Sequence, residues 1–195
     1  MSVEPLIATK LRIPASRPDR VSRPELVARL DAGLDAGHVL TLVSAPAGFG
    51  KTTLIREWVG TSECPVAWFN IDDGDSDPAR FVTTLIAAFQ QIDDQVGSSM
   101  PDRPHAAPRD VLLALINDLD RGDVRAAVVL DDYHLISAFA THDLLAFFLE
   151  NCPPGIHVVI GTREDPPLPL ARLRARSQMT EIRERALRFR PEETT

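Results

Sequence analysis

Residues 40–53 read LTLVSAPAGFGKTT and combine a strand, a glycine-containing loop and the start of a helix. The run 38–43 is short, apolar and rich in β-branched residues, which predicts a buried strand. This run breaks at the loop 44–50, and residues 51–59 predict a helix. A phosphate-binding loop requires this context. The sequence departs from the motif G-x-x-x-x-G-K-[ST] only at Ala45, which replaces the first glycine. Alanine fits there if its backbone keeps a negative φ.

The residue types of this loop predict how it binds the phosphates of ATP or ADP. Backbone N–H groups of residues 47–52 would surround the β-phosphate, because small residues let the main chain approach and a helix N-terminus offers unpaired donors. Lys51 would reach the β and γ oxygens, the Thr52 hydroxyl would ligate Mg²⁺, and Thr53 would lie near the α-phosphate. The predicted nucleotide-binding residues of the loop are Ala47, Gly48, Phe49, Gly50, Lys51, Thr52 and Thr53.

A pair of acids follows another predicted strand, the run 126–130. In open α/β sheets, ligands bind beyond the carboxyl ends of the strands. Asp131 is therefore predicted to hold Mg²⁺ through water, as a Walker B acid does, and Asp132 to orient the attacking water. The alternative is an exposed acidic turn. His134 lies close enough to these acids to touch a nucleotide, but we assign it a capping or packing role.

A third strand, 157–161, ends in polar residues that could reach the γ-phosphate. Thr162 and Arg163 follow it directly, and arginine suits bidentate contact with a phosphate. The alternative is that Arg163 pairs locally with Glu164 or Asp165. The predicted catalytic residues are Lys51, Asp131, Asp132 and Arg163, and the predicted metal ligands are Thr52 and Asp131.

Strands and helices alternate along the chain, which predicts a parallel sheet covered on both faces. The fold class is thus α/β, a three-layer P-loop NTPase sandwich with about five strands. A strand at 65–71 lies between the two Walker segments in sequence, which suits the class whose Walker A and Walker B strands are not adjacent. The other predicted elements are helices at 22–37, 77–89, 110–119, 141–151 and 168–176, and a weak fifth strand at 179–182.

Three domain segments are predicted. Residues 1–21 contain three prolines and should form an extended N-terminal arm. Residues 22–190 form the P-loop NTPase domain, whose first helix begins at an S-x-x-E capping box, Ser22 to Glu25. Residues 191–195 resemble the first turn of a following, truncated helix.

Composition limits the classes of function. The chain has 195 residues, of which 44% are hydrophobic and 25% charged, and this is ordinary for one globular domain. No apolar run approaches the roughly 20 residues of a membrane span, and no signal peptide is evident. Cys64 and Cys152 form no metal-binding pattern, which indicates packing roles and a cytoplasmic protein. The net charge of −7 disfavours nucleic-acid binding.

The longest motifs resemble the N-terminal ATPase of large LuxR-type transcriptional activators. The likeness extends over nearly the whole chain, through the runs LIATKLRIPASRPDRVSRPELVARL, LTLVSAPAGFGKTTLIREW, PVAWFNIDDGDSDPARFVTTLIAAFQ, VVLDDYHLI and VVIGTREDPPLPLARLRARSQMTEIR. The resemblance implies a signal-transduction (STAND) P-loop ATPase that holds ADP at rest, exchanges it for ATP when an inducer arrives, and then oligomerises. It also implies that Val21 and Arg23 line the adenine, with Lys51 and Thr52 as the Walker A pair, Asp131 as the Walker B acid and Arg163 as the sensor.

The resemblance favours a nucleotide switch over other functions. Family members continue through a winged-helix lid, a helical-repeat sensor and a helix-turn-helix, none of which is recognisable here, so we expect no DNA binding by this chain alone. Asp132 is shorter than the glutamate of fast ATPases, and at most weak hydrolysis is expected. The alternative is an active AAA+-like motor that works as an oligomer, with an arginine supplied in trans by Arg172, Arg174 or Arg176. Phosphoryl transfer to a small molecule is a third reading, without a recognisable acceptor pocket.

Overall fold

A computed structural model describes residues 8–15, 21–100 and 106–188, and its centre is a parallel β-sheet. The five strands occur in the order β2-β3-β4-β1-β5. Almost every strand residue is buried or half-buried, as expected when helices cover both faces. The predicted α/β fold with five strands is confirmed. The strands are β1 (Leu40–Ser44), β2 (Val66–Asn70), β3 (Ala126–Asp131), β4 (Ile156–Thr162) and β5 (Met179–Arg183).

Helices form the two outer layers. Neighbouring strand residues such as Trp68 and Phe69 point to opposite faces, and each joins a different apolar cluster. Phe69 packs with the cluster that contains Phe81 and Phe148, whereas Trp68 packs with the cluster that contains Trp58. The helices are α1 (Pro24–Asp35), α2 (Lys51–Val59), α3 (Pro78–Phe89), α4 (Pro108–Arg121), α5 (Phe139–Asn151), α6 (Leu170–Ala175) and α7 (Glu184–Leu187), of which α7 was not predicted.

The order of the strands positions the two Walker segments. The prediction that their strands are not adjacent is confirmed, because β4 lies between β1 and β3. The run 65–71 forms β2 at the edge of the sheet, beside β3, and does not separate them. The order of the strands in the sequence does not give their order in the sheet. The chain passes from β1 to β2 at the edge of the sheet and then returns through β3 to β4, which lies beside β1. The carboxyl ends of β1, β3 and β4 therefore meet at one edge.

Helix α1 does not begin at the predicted capping box. Its N-cap residue is Arg23, without a capping hydrogen bond from a side chain. Ser22 instead donates its hydroxyl hydrogen bond to the carboxylate of Glu57, which also accepts the backbone N–H of Arg23 at 3.2 Å. Glu57 is only 7% exposed, and a buried carboxylate needs donors more than an exposed helix end needs a cap.

The N-terminal arm is not wholly extended, contrary to the prediction. Ala8–Leu11 forms a 3₁₀ turn, in which Lys10 is buried. Its ammonium pairs with Asp75 and, at 3.0 Å, with Asp72, and it lies 5.5 Å from the centre of the Phe69 ring. These tertiary contacts outweigh the local preference for an extended chain.

The remaining predictions at the chain ends are only partly accessible. Residues 1–7, 16–20, 101–105 and 189–195 lie outside the described ranges, and with them the predicted start of a following helix. Within the described ranges, no helix has the length and apolar character that crossing a membrane requires.

Candidate nucleotide-binding site

The loop between β1 and α2 turns at two glycines and ends at a helix N-terminus. Gly48 and Gly50 have φ values of 83° and 78°, in the left-handed region, and Gly50 is the N-cap residue of α2. Side chains rarely adopt this conformation, which explains the two glycines. Ala45 avoids it, as its replacement of the first motif glycine requires, and its N–H donates to the Thr162 carbonyl at 3.2 Å. The first turn of α2 thus opens directly onto the loop.

Lys51 lies inside this loop. Its ammonium donates to the carbonyl oxygens of Ala45, at 2.7 Å, and Pro46, at 3.0 Å, and the residue is 7% exposed. Burial lowers the pKa of Lys51, the Asp132 carboxylate opposes that shift, and the Arg163 cation adds to it. The loop therefore holds a buried cation, with three further charged groups, Asp131, Asp132 and Arg163, close enough to influence its pKa.

Thr52, in the first turn of α2, contacts Asp131, at the end of β3. The Thr52 hydroxyl donates to Asp131 Oδ2 at 2.8 Å, and the backbone N–H of Asp132 donates to Oδ1 at 3.1 Å. Asp131 is 1% exposed, and this burial raises its pKa. Both predicted metal ligands are thus adjacent, with oxygen atoms of the kind that Mg²⁺ prefers.

Gly161 makes room for this pair, and the sequence analysis did not single it out. A Cβ atom at Gly161 would lie 2.5 Å from Asp131 Oδ1 and 3.2 Å from Ile55 Cδ1. The residue belongs to β4, the strand between β1 and β3, so its missing side chain is what lets the carboxylate turn toward α2. A glycine directly before the polar residues of a strand end was the available signal.

Arg163 follows β4 at the same edge. The alternative of local pairing does not hold, because Asp165 pairs with Arg183 and, at 3.9 Å, with Arg174. Within ranges 8–15, 21–100 and 106–188, Arg163 makes no hydrogen bond or ion pair. It directly follows the end of β4, which pairs with the end of β1, and its cation lowers the pKa of both Lys51 and His134.

A charged network that the sequence analysis missed supports the start of the loop. Ser44 donates its hydroxyl hydrogen bond to Asp165 at 3.4 Å, and Arg183 contacts both Asp165 and Glu181. Hydrogen bonds from Arg174, followed by those from Arg183, lower the pKa of Glu181 to about 2. Residues of β5 thereby fix the point at which β1 enters the loop.

The predicted adenine segment lies against α2 and α7. Arg23 is 8% exposed, and its guanidinium donates to the carbonyl of Leu187 at 2.7 Å. Val21 is 40% exposed. The guanidinium of Arg23 therefore serves a tertiary contact, and the adenine role of Val21 and Arg23 stays a prediction.

A large groove lies at the opposite edge of the sheet. It encloses about 1030 Å³, and none of its lining residues belongs to the predicted site. The acids among them, Asp31, Asp35, Glu63, Asp120 and Asp123, would repel phosphates. The groove is therefore not the nucleotide site.

Comparison with curated proteins identifies close relatives of this chain. It is 35% identical over 192 residues to the HTH-type transcriptional regulator MalT of Yersinia enterocolitica, and 34% identical to MalT of Cronobacter sakazakii. The chain is homologous to the N-terminal region of MalT. The alignment covers 96% of this chain and 21% of the MalT length. The resemblance to LuxR-type regulators is thereby confirmed, although no family model matches the chain.

Solved structures extend the MalT homology to a common fold. A STAND protein with a tetratricopeptide-repeat sensor from Pyrococcus horikoshii superposes with a TM-score of 0.61 at 16% identity, over 92% of this chain and 25% of that one. A Walker-type ATPase of Pyrococcus abyssi gives 0.57 at 17% identity, over 91% and 57%. At such identities the likeness concerns the fold, a P-loop ATPase sheet with flanking helices.

Asp131→Asn should stabilise the nucleotide-free, MalT-like domain at neutral pH. A folded-state pKa raised by burial means that the unfolded chain ionises Asp131 more readily, so stability falls as pH rises from the unfolded pKa of about 3.9 through the raised folded value. Asparagine removes the buried charge and keeps partners for Thr52 and the Asp132 N–H. We expect a gain of about 1 kcal/mol, or roughly 2–4 °C, in thermal melts at pH 7.

The pH dependence provides the check on this prediction. The difference between Asp131→Asn and the wild type should shrink as the pH falls below the unfolded pKa of about 3.9, where the carboxyl becomes protonated in both states. Asp132→Asn is the matched control, because its side chain is 44% exposed and its replacement should change the melting temperature little. A variant at Asp131 that melts below the wild type at pH 7 would contradict the assignment of a buried, destabilising charge.

Proposed function

We propose that this chain is the ATP- and ADP-binding signalling domain of a LuxR-type transcriptional regulator, and that it acts as a nucleotide switch. One observation carries the proposal: the Thr52 hydroxyl and the Asp131 carboxylate meet at 2.8 Å beside a loop whose glycines and helix N-terminus open onto the same point. A cation held by these two oxygens would neutralise part of the negative charge of a phosphate bound in the loop.

The residues fit Mg²⁺. The Thr52 hydroxyl would hold the ion directly, and Asp131 would hold it through water. The ion would neutralise the β and γ oxygens, while Lys51 and Arg163 would bind the terminal phosphate. Asp132 has a short side chain that is 44% exposed, so it would orient an attacking water poorly. We therefore propose weak hydrolysis of ATP to ADP and phosphate, which suits a switch.

The regulatory role rests on the relatives. MalT is named as an HTH-type transcriptional regulator, and this chain spans about a fifth of its length. We propose that the chain provides the nucleotide-dependent step of such a regulator in the cytoplasm and associates with itself when ATP is bound. Its charge of −7 still predicts that it does not bind DNA alone.

The motor alternative depends on an arginine that is available to a neighbouring copy. Arg172 pairs with Glu150 at 2.9 Å, and Arg174 makes two hydrogen bonds of 2.9 Å to Glu181. All three arginines are exposed, and Arg176 is the one of them without an ion pair among the described residues. The ion pairs of Arg172 and Arg174 therefore favour the switch over the motor.

Calorimetric titration of the purified chain with ADP and with ATP, each with Mg²⁺, tests the proposal. We expect micromolar or tighter binding of both, and turnover well below the ~1–10³ s⁻¹ typical of enzymes. Turnover that rises steeply with protein concentration would favour the motor. The absence of binding to either nucleotide would overturn the nucleotide switch.

A further inference from the structure

His134 has a half-buried imidazole whose hydrogen-bonding groups are not satisfied by the described residues. Its side chain is 11% exposed, and both ring nitrogens are enclosed without a hydrogen-bond partner among the described residues. The nearest acid oxygen, Asp132 Oδ1, is 3.8 Å from Nδ1, which is too long for a hydrogen bond. Proteins seldom leave buried polar groups in this state, so a ligand is the natural explanation.

Two buried histidines show the ordinary arrangement. The Nδ1 atom of His142 lies 2.9 Å from the Tyr133 hydroxyl. His157 contacts the Thr41 hydroxyl through Nε2 at 2.9 Å and the His38 carbonyl through Nδ1 at 2.5 Å. The fold thus satisfies the imidazoles that it uses for packing, and the capping or packing role first assigned to His134 does not describe it.

The charges around His134 are those of the phosphate site. Burial lowers the pKa of His134, the Arg163 cation lowers it further, and Asp132 opposes the shift. Lys51 and Glu164 make smaller contributions of opposite sign. The turn 133–135 that carries His134 directly follows β3 and contacts β4, and Asp132 Oδ1 lies 3.8 Å from its Nδ1, so the imidazole lies at the edge of the sheet that bears Asp131. At neutral pH it is uncharged, with one N–H donor and one acceptor.

The turn that carries His134 is held rigidly. Asp132 has a left-handed φ of 57°, and the Ile136 N–H closes the turn onto the Tyr133 carbonyl at 3.1 Å. Tyr133 is fully buried, and the Leu135 carbonyl accepts the Ser76 hydroxyl at 3.3 Å. Left-handed, non-glycine backbone that the surroundings enforce is common at ligand sites. The imidazole is therefore held in place before any ligand arrives.

We propose that His134 reads the γ-phosphate: its ring N–H donates a hydrogen bond to a γ-phosphate oxygen, which favours ATP over ADP. This inference rests on the proposed function, because it takes the Lys51 loop as the cradle of the β-phosphate. A γ-phosphate would then lie toward Lys51 and Arg163, the two cations whose charges reach His134. ADP has no oxygen at that position, and it would leave the imidazole without a partner. Nδ1 lies on the side of Asp132, which leaves Nε2 for the phosphate, and the ring donates there in the tautomer that carries its proton on Nε2.

Affinities for ADP and a non-hydrolysable ATP analogue, measured by calorimetry with Mg²⁺, test this role. In His134→Leu, the preference for the analogue over ADP should fall about tenfold, the value of one hydrogen bond to a charged group. The ADP affinity itself should stay within about threefold of the wild type. His134→Gln, whose amide nitrogen reaches the position of Nε2, should keep most of the preference. His134→Asn, whose amide reaches only the position of Nδ1, should lose it.

Controls separate this role from a structural one. His157→Gln alters a more deeply buried histidine away from the loop, and it should leave the preference unchanged whatever it does to the melting temperature. If His134→Leu does not fold, the comparison of the Gln and Asn variants decides. An unchanged preference in Leu or Asn variants, or an equal loss of both nucleotides, would overturn the inference while leaving the nucleotide switch intact. A wild-type chain that binds neither nucleotide would overturn both.

Discussion

Lys51→Ala is expected to reduce the affinity for ATP and ADP by about 100-fold or more, since the variant loses two charge-assisted hydrogen bonds to phosphate oxygens. The ammonium lies 2.7 Å from the Ala45 carbonyl, inside the loop, so no other side chain can replace it there. The fold should persist within about 1 kcal/mol, because only two hydrogen bonds to loop carbonyls are lost. Calorimetry and thermal melts measure the two effects separately.

Arg56→Ala is the matched control for Lys51→Ala. It removes one cation from the same helix, at a position near the far end of α2. We expect nucleotide affinity close to that of the wild type. Undiminished binding in Lys51→Ala would refute the assignment of the loop as the phosphate site.

Gly161→Ala is expected to uncouple nucleotide binding from Mg²⁺. The added Cβ would lie 2.5 Å from Asp131 Oδ1, and the carboxylate would have to move away from Thr52. We expect the gain in affinity that Mg²⁺ provides to fall by about 10- to 100-fold, which corresponds to about 1.4–2.8 kcal/mol. Crowding of Ile55 should also cost about 1–3 kcal/mol of stability. Titrations with and without Mg²⁺ reveal the first effect, and denaturant unfolding the second.

Gly155→Ala distinguishes the site from general strain. Gly155 directly precedes β4, and a Cβ there would lie 2.5 Å from the Val124 carbonyl oxygen. The clash is as close as that at Gly161, but it occurs at the edge of the sheet that faces away from the loop. We expect a comparable loss of stability and an intact response to Mg²⁺. A Gly161→Ala protein that still responds fully to Mg²⁺ would show that Asp131 does not need its observed position.

Local sequence patterns predicted most of the fold. The helix that begins at Lys51 has the predicted bounds, and the strand that ends in Asp131 extends one residue beyond its predicted end. The Asp77 cap before Pro78 forms as its sequence indicates, with its carboxylate accepting the Arg80 N–H at 2.8 Å. Such features depend on a few neighbouring residues, so the sequence alone contains their causes.

Features that depend on distant contacts were not predictable in the same way. Ser22 has a good capping pattern, but the buried Glu57 takes its hydroxyl. Gly161 is needed because Asp131 lies against it from the neighbouring strand β3. The residues next to Gly161 in the sequence do not specify that contact. His134 was assigned to packing for the same reason, because the turn that carries it contacts β4, which is distant in the sequence. Residue types indicated which groups form the site, whereas the sheet order determines how they meet.

The hydrogen bond from Arg23 to Leu187 has a mechanical consequence. It joins residues 164 positions apart, so the start of α1 and the end of α7 are neighbours. A displacement of α7 would therefore act on the start of α1 through this bond. The same displacement would be transmitted to Glu57, whose carboxylate accepts the Arg23 N–H. Glu57 belongs to α2, the helix that begins at Lys51. A displacement of α7 and the binding of a phosphate by Lys51 would thus act on the same helix, α2.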